Sequence, residues 1–199
     1  MAMYLPNILE YPIIFHGAAI LGGTITTLNP QCSNEDLSHF LKISRAKYLV
    51  TTSTLAKRAF SAGVLKGIHS VFVTGQAKNC ESISSLLSDD GTAFPGDVKI
   101  DPKEDVVALP FSSGTTGVSK GVMLTHYNLI AQTRVAFRYE KPLDDMGTVI
   151  NVLPFYHIYG LSIIMGGRLH VGSKIVALSR FEPRSFLRAI QEYKVSLLV

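Results

Sequence analysis

The chain has 199 residues, enough for one domain or one large piece of a domain, and its 47% hydrophobic and 17% charged content excludes a disordered chain. Its 19 basic and 15 acidic residues leave a net charge of +4, spread along the chain with no basic stripe, which argues against nucleic-acid binding and suits small anionic ligands. No basic n-region of a signal peptide opens the chain, and the longest apolar run, 11–23, contains His16 and is too short to span a bilayer, so the chain reads as soluble.

Residues 6–21 read as a helix with Asn7 and Glu10 in its first turn. Apolar residues nearly surround the rest of it, so it reads as buried. Gly22 and Gly23 end it, 24–28 reads as a strand, and Asn29-Pro30 marks a turn. A second helix starts at 33–36, with Ser33 as N-cap and Asp36 three residues later; Leu37, Phe40, Leu41 and Ser44 keep helical spacing. Then come a strand at 47–52, a helix at 56–65 and a strand at 70–74. This alternation predicts an α/β protein whose strands are mainly parallel. A short helix is expected at 81–87, and 88–96 reads as a surface connection. The two cysteines, Cys32 and Cys80, lie in different segments without metal-ligand spacing and read as reduced thiols of an intracellular protein.

The densest chemical signal is 109–126, LPFSSGTTGVSKGVMLTH. An apolar strand at 106–109 leads into it, and a second apolar arm, 122–124, leaves it. Between them lie Gly114, Gly117 and Gly121, the hydroxyls of Ser112, Ser113, Thr115 and Thr116, and Lys120. Glycines let the backbone approach an anion closely, successive N–H groups form an anion-binding nest, and a lysine adds a mobile positive charge. A polyphosphate fits this composition. The P-loop of NTPases does not, because glycine must directly precede the lysine there, and here Ser119 precedes Lys120. The plainer alternative is a flexible solvated turn, which rarely has apolar strands on both sides and a lone lysine inside.

Beyond the loop, Thr125 is the expected N-cap of a helix over 126–137, with His126 in its first turn as a structural residue. A strand is expected at 148–153, directly followed by 154–160, PFYHIYG, and by an apolar run ending in Gly166-Gly167. A strand at 174–178, a helix opened by Glu182-Pro183 and reaching Tyr193, and a strand at 195–199 complete the chain. That strand stops without a turn or cap, so the chain reads as truncated. His16, His39, His69 and His170 show no recognisable spacing.

The segment 112–126, SSGTTGVSKGVMLTH, resembles the AMP-binding signature of the adenylate-forming superfamily: acyl-CoA synthetases, 4-coumarate–CoA ligases and firefly luciferases. A second marker, 153–161, LPFYHIYGL, follows at the expected distance and is most similar to the 4-coumarate–CoA ligase and luciferase branch. Supporting pieces are 5–7 (LPN), 23–30 (GTITTLNP), 181–183 (FEP) and 193–195 (YKV), so the resemblance covers essentially the whole chain. It implies that residues 1–199 are the central part of the large N-terminal domain. The adenine and ribose contacts, the glutamate that helps hold magnesium and the C-terminal lid with its catalytic lysine would then lie beyond Val199. One departure is Ser119, where the family usually has proline, which implies a looser loop with its donors intact.

The resemblance implies ATP-dependent activation of a fatty or aromatic carboxylic acid through an acyl-adenylate to its CoA thioester. ATP, Mg2+ and coenzyme A would take part, with no metal ligand in this chain, no nucleic-acid partner and no transmembrane segment. Ser112, Ser113, Gly114, Thr115, Thr116 and Gly117 would bind ATP around its β- and γ-phosphates, and Lys120 would neutralise the leaving pyrophosphate. His157 would lie between the acid pocket and the CoA path, Tyr159 would line the acid pocket and Arg180 would meet the CoA phosphates. For His157 and Tyr159 the alternative is core packing, and for Arg180 a solvated helix flank. Two other readings stay open: luciferase-like adenylation with another acceptor, and an inactive relative that only binds nucleotide or a partner. The expected compartment is intracellular, cytoplasmic or peroxisomal. Neither the acid nor the oligomeric state is readable from these residues.

Overall fold

The computed structural model describes residues 1–112, 119–138 and 147–198. Strands Ala2–Tyr4 (β1), Thr26–Leu28 (β2), Tyr48–Thr52 (β3), Ser70–Thr74 (β4) and Glu81–Ser82 (β5) form an all-parallel sheet of order β2-β1-β3-β4-β5. Side chains alternate across it, as the period of a strand requires. Ala2 and Tyr4 of β1, with Leu49, Val71 and Val73, face a core built on Leu37, Phe40 and Leu41 of α2 (Asn34–Ser44) and Ala56 and Ala59 of α3 (Ser53–Ser61). Met3 and Val50 face the opposite core, with Tyr11, Phe15 and Ala19 of α1 (Glu10–Ile20) and with Phe155, Leu161 and Ile164. The sheet is thus covered on both faces, as parallel sheets require.

The cap read at Ser33 is present, its Oγ accepting the Asp36 amide at 3.0 Å. A second cap, not marked in the sequence, is Thr52, whose Oγ1 accepts the Leu55 amide at 3.3 Å. The second cap starts α3 at Ser53, earlier than the expected 56, and the helix ends before Gly63, whose φ is +65°. Part of the expected helix at 81–87 is strand: Glu81–Ser82 extends the sheet at its edge, and Ser82 then caps α4 (Ile83–Leu87).

The largest difference concerns α1. It begins at Glu10, not at Pro6, because Asn7 is buried and its side-chain amide bonds to other segments. Nor is the helix buried all round: Leu9 at its start and Ile13 and Ile20 within it are exposed. With apolar residues on every side, no stripe in the sequence marks the inward face.

Val106–Ala108 (β6) pairs antiparallel with Leu124–Thr125 (β9), and Phe111–Ser112 (β7) pairs antiparallel with Lys120–Gly121 (β8). Thr125 and Asn128 form a reciprocal capping box on α5 (His126–Ala136). A second parallel sheet, of order β11-β10-β12, joins Thr148–Asn151 (β10), Lys174–Ala177 (β11) and Leu197–Leu198 (β12). Between β10 and β11 the apolar run becomes a π-helix, Tyr159–Gly167, that continues into a short α6 (Arg168–His170). Ser162 in the π-helix hydrogen-bonds Gln132 of α5. Glu182 caps α7 (Pro183–Tyr193), its carboxylate accepting the Arg184 and Ser185 amides at 3.1 and 2.7 Å.

Candidate functional site

The glycine-rich loop is closed by its own ladder. In the β7–β8 pair Ser112 lies opposite Lys120 and Phe111 opposite Gly121, so the loop's two ends meet in a short antiparallel stem. The stem is anchored to α2 by the ring of Phe111, which stacks on Phe40. Gly121 packs beside this ring, where a Cβ would stand in ordinary contact 3.4 Å from Phe111. Ser112 and Lys120 are both exposed. Ser113, Gly114, Thr115, Thr116 and Gly117 lie outside the described residues.

The strand that feeds the stem is tied to the edge of the main sheet. Ile25 N donates to the Val107 carbonyl and Leu109 N to the Ile25 carbonyl, each at 2.8 Å. Thr26 Oγ1 adds a bond to the Leu109 carbonyl at 2.9 Å.

The other half of the site is the turn after β10. The His157 amide donates to the Pro154 carbonyl at 3.1 Å, and the His157 carbonyl accepts the Leu161 amide at 2.8 Å. The ring is exposed, and its Nδ1 accepts the Tyr159 amide at 3.3 Å. A neutral ring that accepts this bond carries its proton on Nε2. Gly160 makes the turn possible, since a Cβ there would stand 2.0 Å from the Pro154 carbonyl oxygen.

These pieces converge on one cleft of about 570 Å³, lined by Thr27, Asn29, Phe111, Ser112, Ser119 and His157 among others. Both ends of the loop and the histidine therefore share one concavity. Lys120, Tyr159 and Arg180 are not among its lining residues. Tyr159 opens the π-helix with 45% of its surface exposed. Arg180 is exposed beyond β11, and its charge is one of the influences that hold the Glu182 carboxyl below the usual glutamate range, after the Ser185 and Arg184 hydrogen bonds. Among the described residues no three His, Cys, Asp or Glu side chains converge as a metal site, and no helix is long and apolar enough to cross a membrane.

Cys32 lines the same cleft, with burial pushing its thiol pKa up. His16, His126 and His170, which share no spacing in the sequence, line a second cleft of about 460 Å³ between α1, α5 and the π-helix.

Two residues at the site lie in the supporting pieces 5–7 and 23–30 but had no role assigned there: Asn7 and Thr27, whose side chains bond the backbone around His157. The available hint was their chemistry, an amide beside a buried strand and a hydroxyl within one.

Comparison with known proteins agrees with this architecture. A probable 4-coumarate–CoA ligase 1 of Dictyostelium discoideum is 36% identical over 217 residues, an alignment covering 99% of this chain and 39% of that protein. A long-chain-fatty-acid–CoA ligase from Archaeoglobus fulgidus superposes with a TM-score of 0.83 at 28% identity, over 98% of this chain and 38% of that one. A red-emitting luciferase from Phrixothrix hirtus shares the fold with a TM-score of 0.87 at 24% identity, over 99% of this chain and 39% of that one. The chain thus spans about two fifths of the length of the proteins it matches. Over residues 1–199 it matches the AMP-binding enzyme family, and with the loop stem and the histidine turn facing one cleft, the chain belongs to that family.

Proposed function

We propose that this chain is the part of an AMP-forming acid–CoA ligase that grips the pyrophosphate end of ATP and presents a histidine to the reacting acid. The chain would be the central part of a larger N-terminal domain. The observation that carries the reading is the shared cleft of Ser112, Ser119 and His157. In the reaction, an acid carboxylate attacks the α-phosphorus of ATP, the bond to the β,γ-pyrophosphate breaks, and CoA thiol then displaces AMP from the acyl-adenylate. Charge gathers on the phosphate oxygens in the first step, so donors and cations fixed beforehand lower its barrier.

The loop residues Ser112, Ser113, Gly114, Thr115, Thr116 and Gly117 supply the donors, and Lys120 the cation. The site chemistry fits: the stem brings a hydroxyl and an ammonium-bearing residue opposite each other at the loop's neck. His157 meets the acid at the step between adenylate and thioester, and Tyr159 borders the acid. Arg180 meets the CoA phosphates. Magnesium, when bound with ATP, neutralises further charge on the phosphates; no residue of this chain is assigned to it.

One second reading is a relative that binds nucleotide without turnover. The two separate by acid-dependent exchange of labelled pyrophosphate into ATP, run on the full polypeptide that carries this sequence with a panel of aromatic and fatty acids. The ligase reading expects exchange with at least one acid, and none with any acid overturns it. A hydrogen bond to a charged group contributes about 1.5–3 kcal/mol, so Lys120→Ala should slow exchange by an order of magnitude or more.

A further inference from the structure

The carbonyls of Leu153, Pro154 and Tyr156 and the amide of Phe155, which lead into His157, each have a side-chain or turn partner. Asn7, 7% exposed, donates through Nδ2 to the Leu153 carbonyl at 2.9 Å and to the Leu178 carbonyl at 3.2 Å. Its Oδ1 accepts the Phe155 amide at 2.8 Å. Thr27 Oγ1 donates to the Tyr156 carbonyl at 2.8 Å. Pro154 has no amide hydrogen, and its carbonyl accepts the His157 amide. The turn is thus held from outside by two residues of the main sheet and its exit, 129 and 148 positions away in the chain.

Thr27 has a neighbour with the matching task. Thr26 Oγ1 binds the Leu109 carbonyl, at the entry to the loop stem. Adjacent residues of a strand point to opposite sides. One three-residue strand, β2, therefore grips the loop stem with one hydroxyl and the histidine turn with the next. The separation of the two halves of the cleft is set by a rigid strand, not by the loops themselves.

We propose that Thr27 and Asn7 are positioning residues of the ligase, fixing the His157 backbone relative to the loop at 112–120 so that the ring meets the reacting acid. The inference rests on the ligase reading for its kinetic consequences, but the geometry of the grip can be tested without it. A group that acts only through His157 has no effect once the imidazole is gone. It also leaves ATP binding alone, because Thr26 holds the stem independently.

The test uses the full polypeptide with Thr27→Val, which removes the hydroxyl at nearly constant shape, Thr27→Ser, which keeps it, and each combined with His157→Ala. Small misplacements of a reacting group cost about tenfold to a hundredfold in rate. Thr27→Val should lower kcat of thioester formation by that range, with KM for ATP within about twofold, and Thr27→Ser should recover it. In the His157→Ala background Thr27→Val should change nothing further. Effects that multiply, a parallel rise in the KM for ATP, or no recovery with serine would overturn the proposal. Asn7→Asp keeps the acceptor but sets an anion against two carbonyls, and should lose more than Thr27→Val.

Amide hydrogen exchange gives the second readout. Thr27→Val and Asn7→Asp should speed exchange at Phe155 and His157 at least about tenfold, while Val50 in the core stays unchanged. If the wild-type polypeptide turns over no acid yet these amides open as expected, the ligase reading fails and the grip stands. Unchanged exchange at both amides overturns the grip itself.

Discussion

The rings of Phe40 and Phe111 stack with centroids 4.2 Å apart and planes 25° from parallel. This contact joins a buried helix face to the stem of the glycine-rich loop, so it couples the stability of the main sheet's outer layer to the site. Phe40 is 8% exposed, and Phe40→Ala should cost about 3 kcal/mol by loss of buried surface and the cavity left behind. Phe111→Ala should cost less in stability, since the ring is only partly buried, but more in nucleotide affinity, since it frees the stem. Denaturant unfolding of the singles and the double should return a coupling of about 0.5–1.5 kcal/mol. Additive losses would mean that the stack does not link the two.

Tyr11 is fully buried against Phe155, and its hydroxyl has no hydrogen-bond partner among the described residues. Burial, helped by the nearby Tyr156, pushes its phenol pKa up. A buried hydroxyl without a partner is a liability, so Tyr11→Phe should leave stability unchanged or raise it by about 1 kcal/mol. The pH dependence has a definite sign. Above the ordinary tyrosine value the unfolded chain releases the proton and the folded chain keeps it, so stability falls as pH rises. Tyr11→Phe should flatten that alkaline fall, as thermal unfolding at neutral and alkaline pH would report.

Gly160 marks the tightest point of the histidine turn. A side chain there would drive its Cβ into the Pro154 carbonyl, which is backbone and cannot swing aside. Gly160→Val should destabilise by about 1–3 kcal/mol and open the bond from the His157 amide to that carbonyl. The rate of thioester formation and the melting midpoint should fall together in a combined rate and melting measurement; a slower rate with an unchanged midpoint is not expected.

Glu182 caps α7 with hydrogen bonds from Ser185 and Arg184, which hold its carboxyl below the usual glutamate range. The depressed folded value means that its contribution is present above the ordinary glutamate pKa. It is lost as pH falls through the lower folded one. Helix α7 should fray first in acid, and Glu182→Gln should fray at neutral pH already, with little further change on acidification. Amide exchange at Ser185 across the acid range checks this.

Much of this molecule is written locally. Ser33, Thr125 and Glu182 announce their helices because a cap is a short-range bond between a side chain and an amide two or three residues on. The loop's ends at Ser112 and Ser119 and the turn at His157 come from equally local patterns, and these residues line one cleft. The exposed side of α1 was hidden, because uniform apolarity carries no phase. So was the π-helix, because an apolar run ending in two glycines fits several backbones. Asn7 and Thr27 were hidden for a different reason: their partners lie more than a hundred residues away, and nothing near them in the chain records the pairing.

The strand order has a bearing on how the chain is made. In each parallel sheet the strand that comes first in the chain, β1 in one and β10 in the other, lies inside, with later strands added outward on both sides. A polypeptide leaving the ribosome can therefore build each sheet by accretion, every new strand finding an edge already formed. In the first sheet the β2 border is covered by residues 107–109, and the β5 border is only two residues long, which offers a neighbouring nascent chain little template on which to pair.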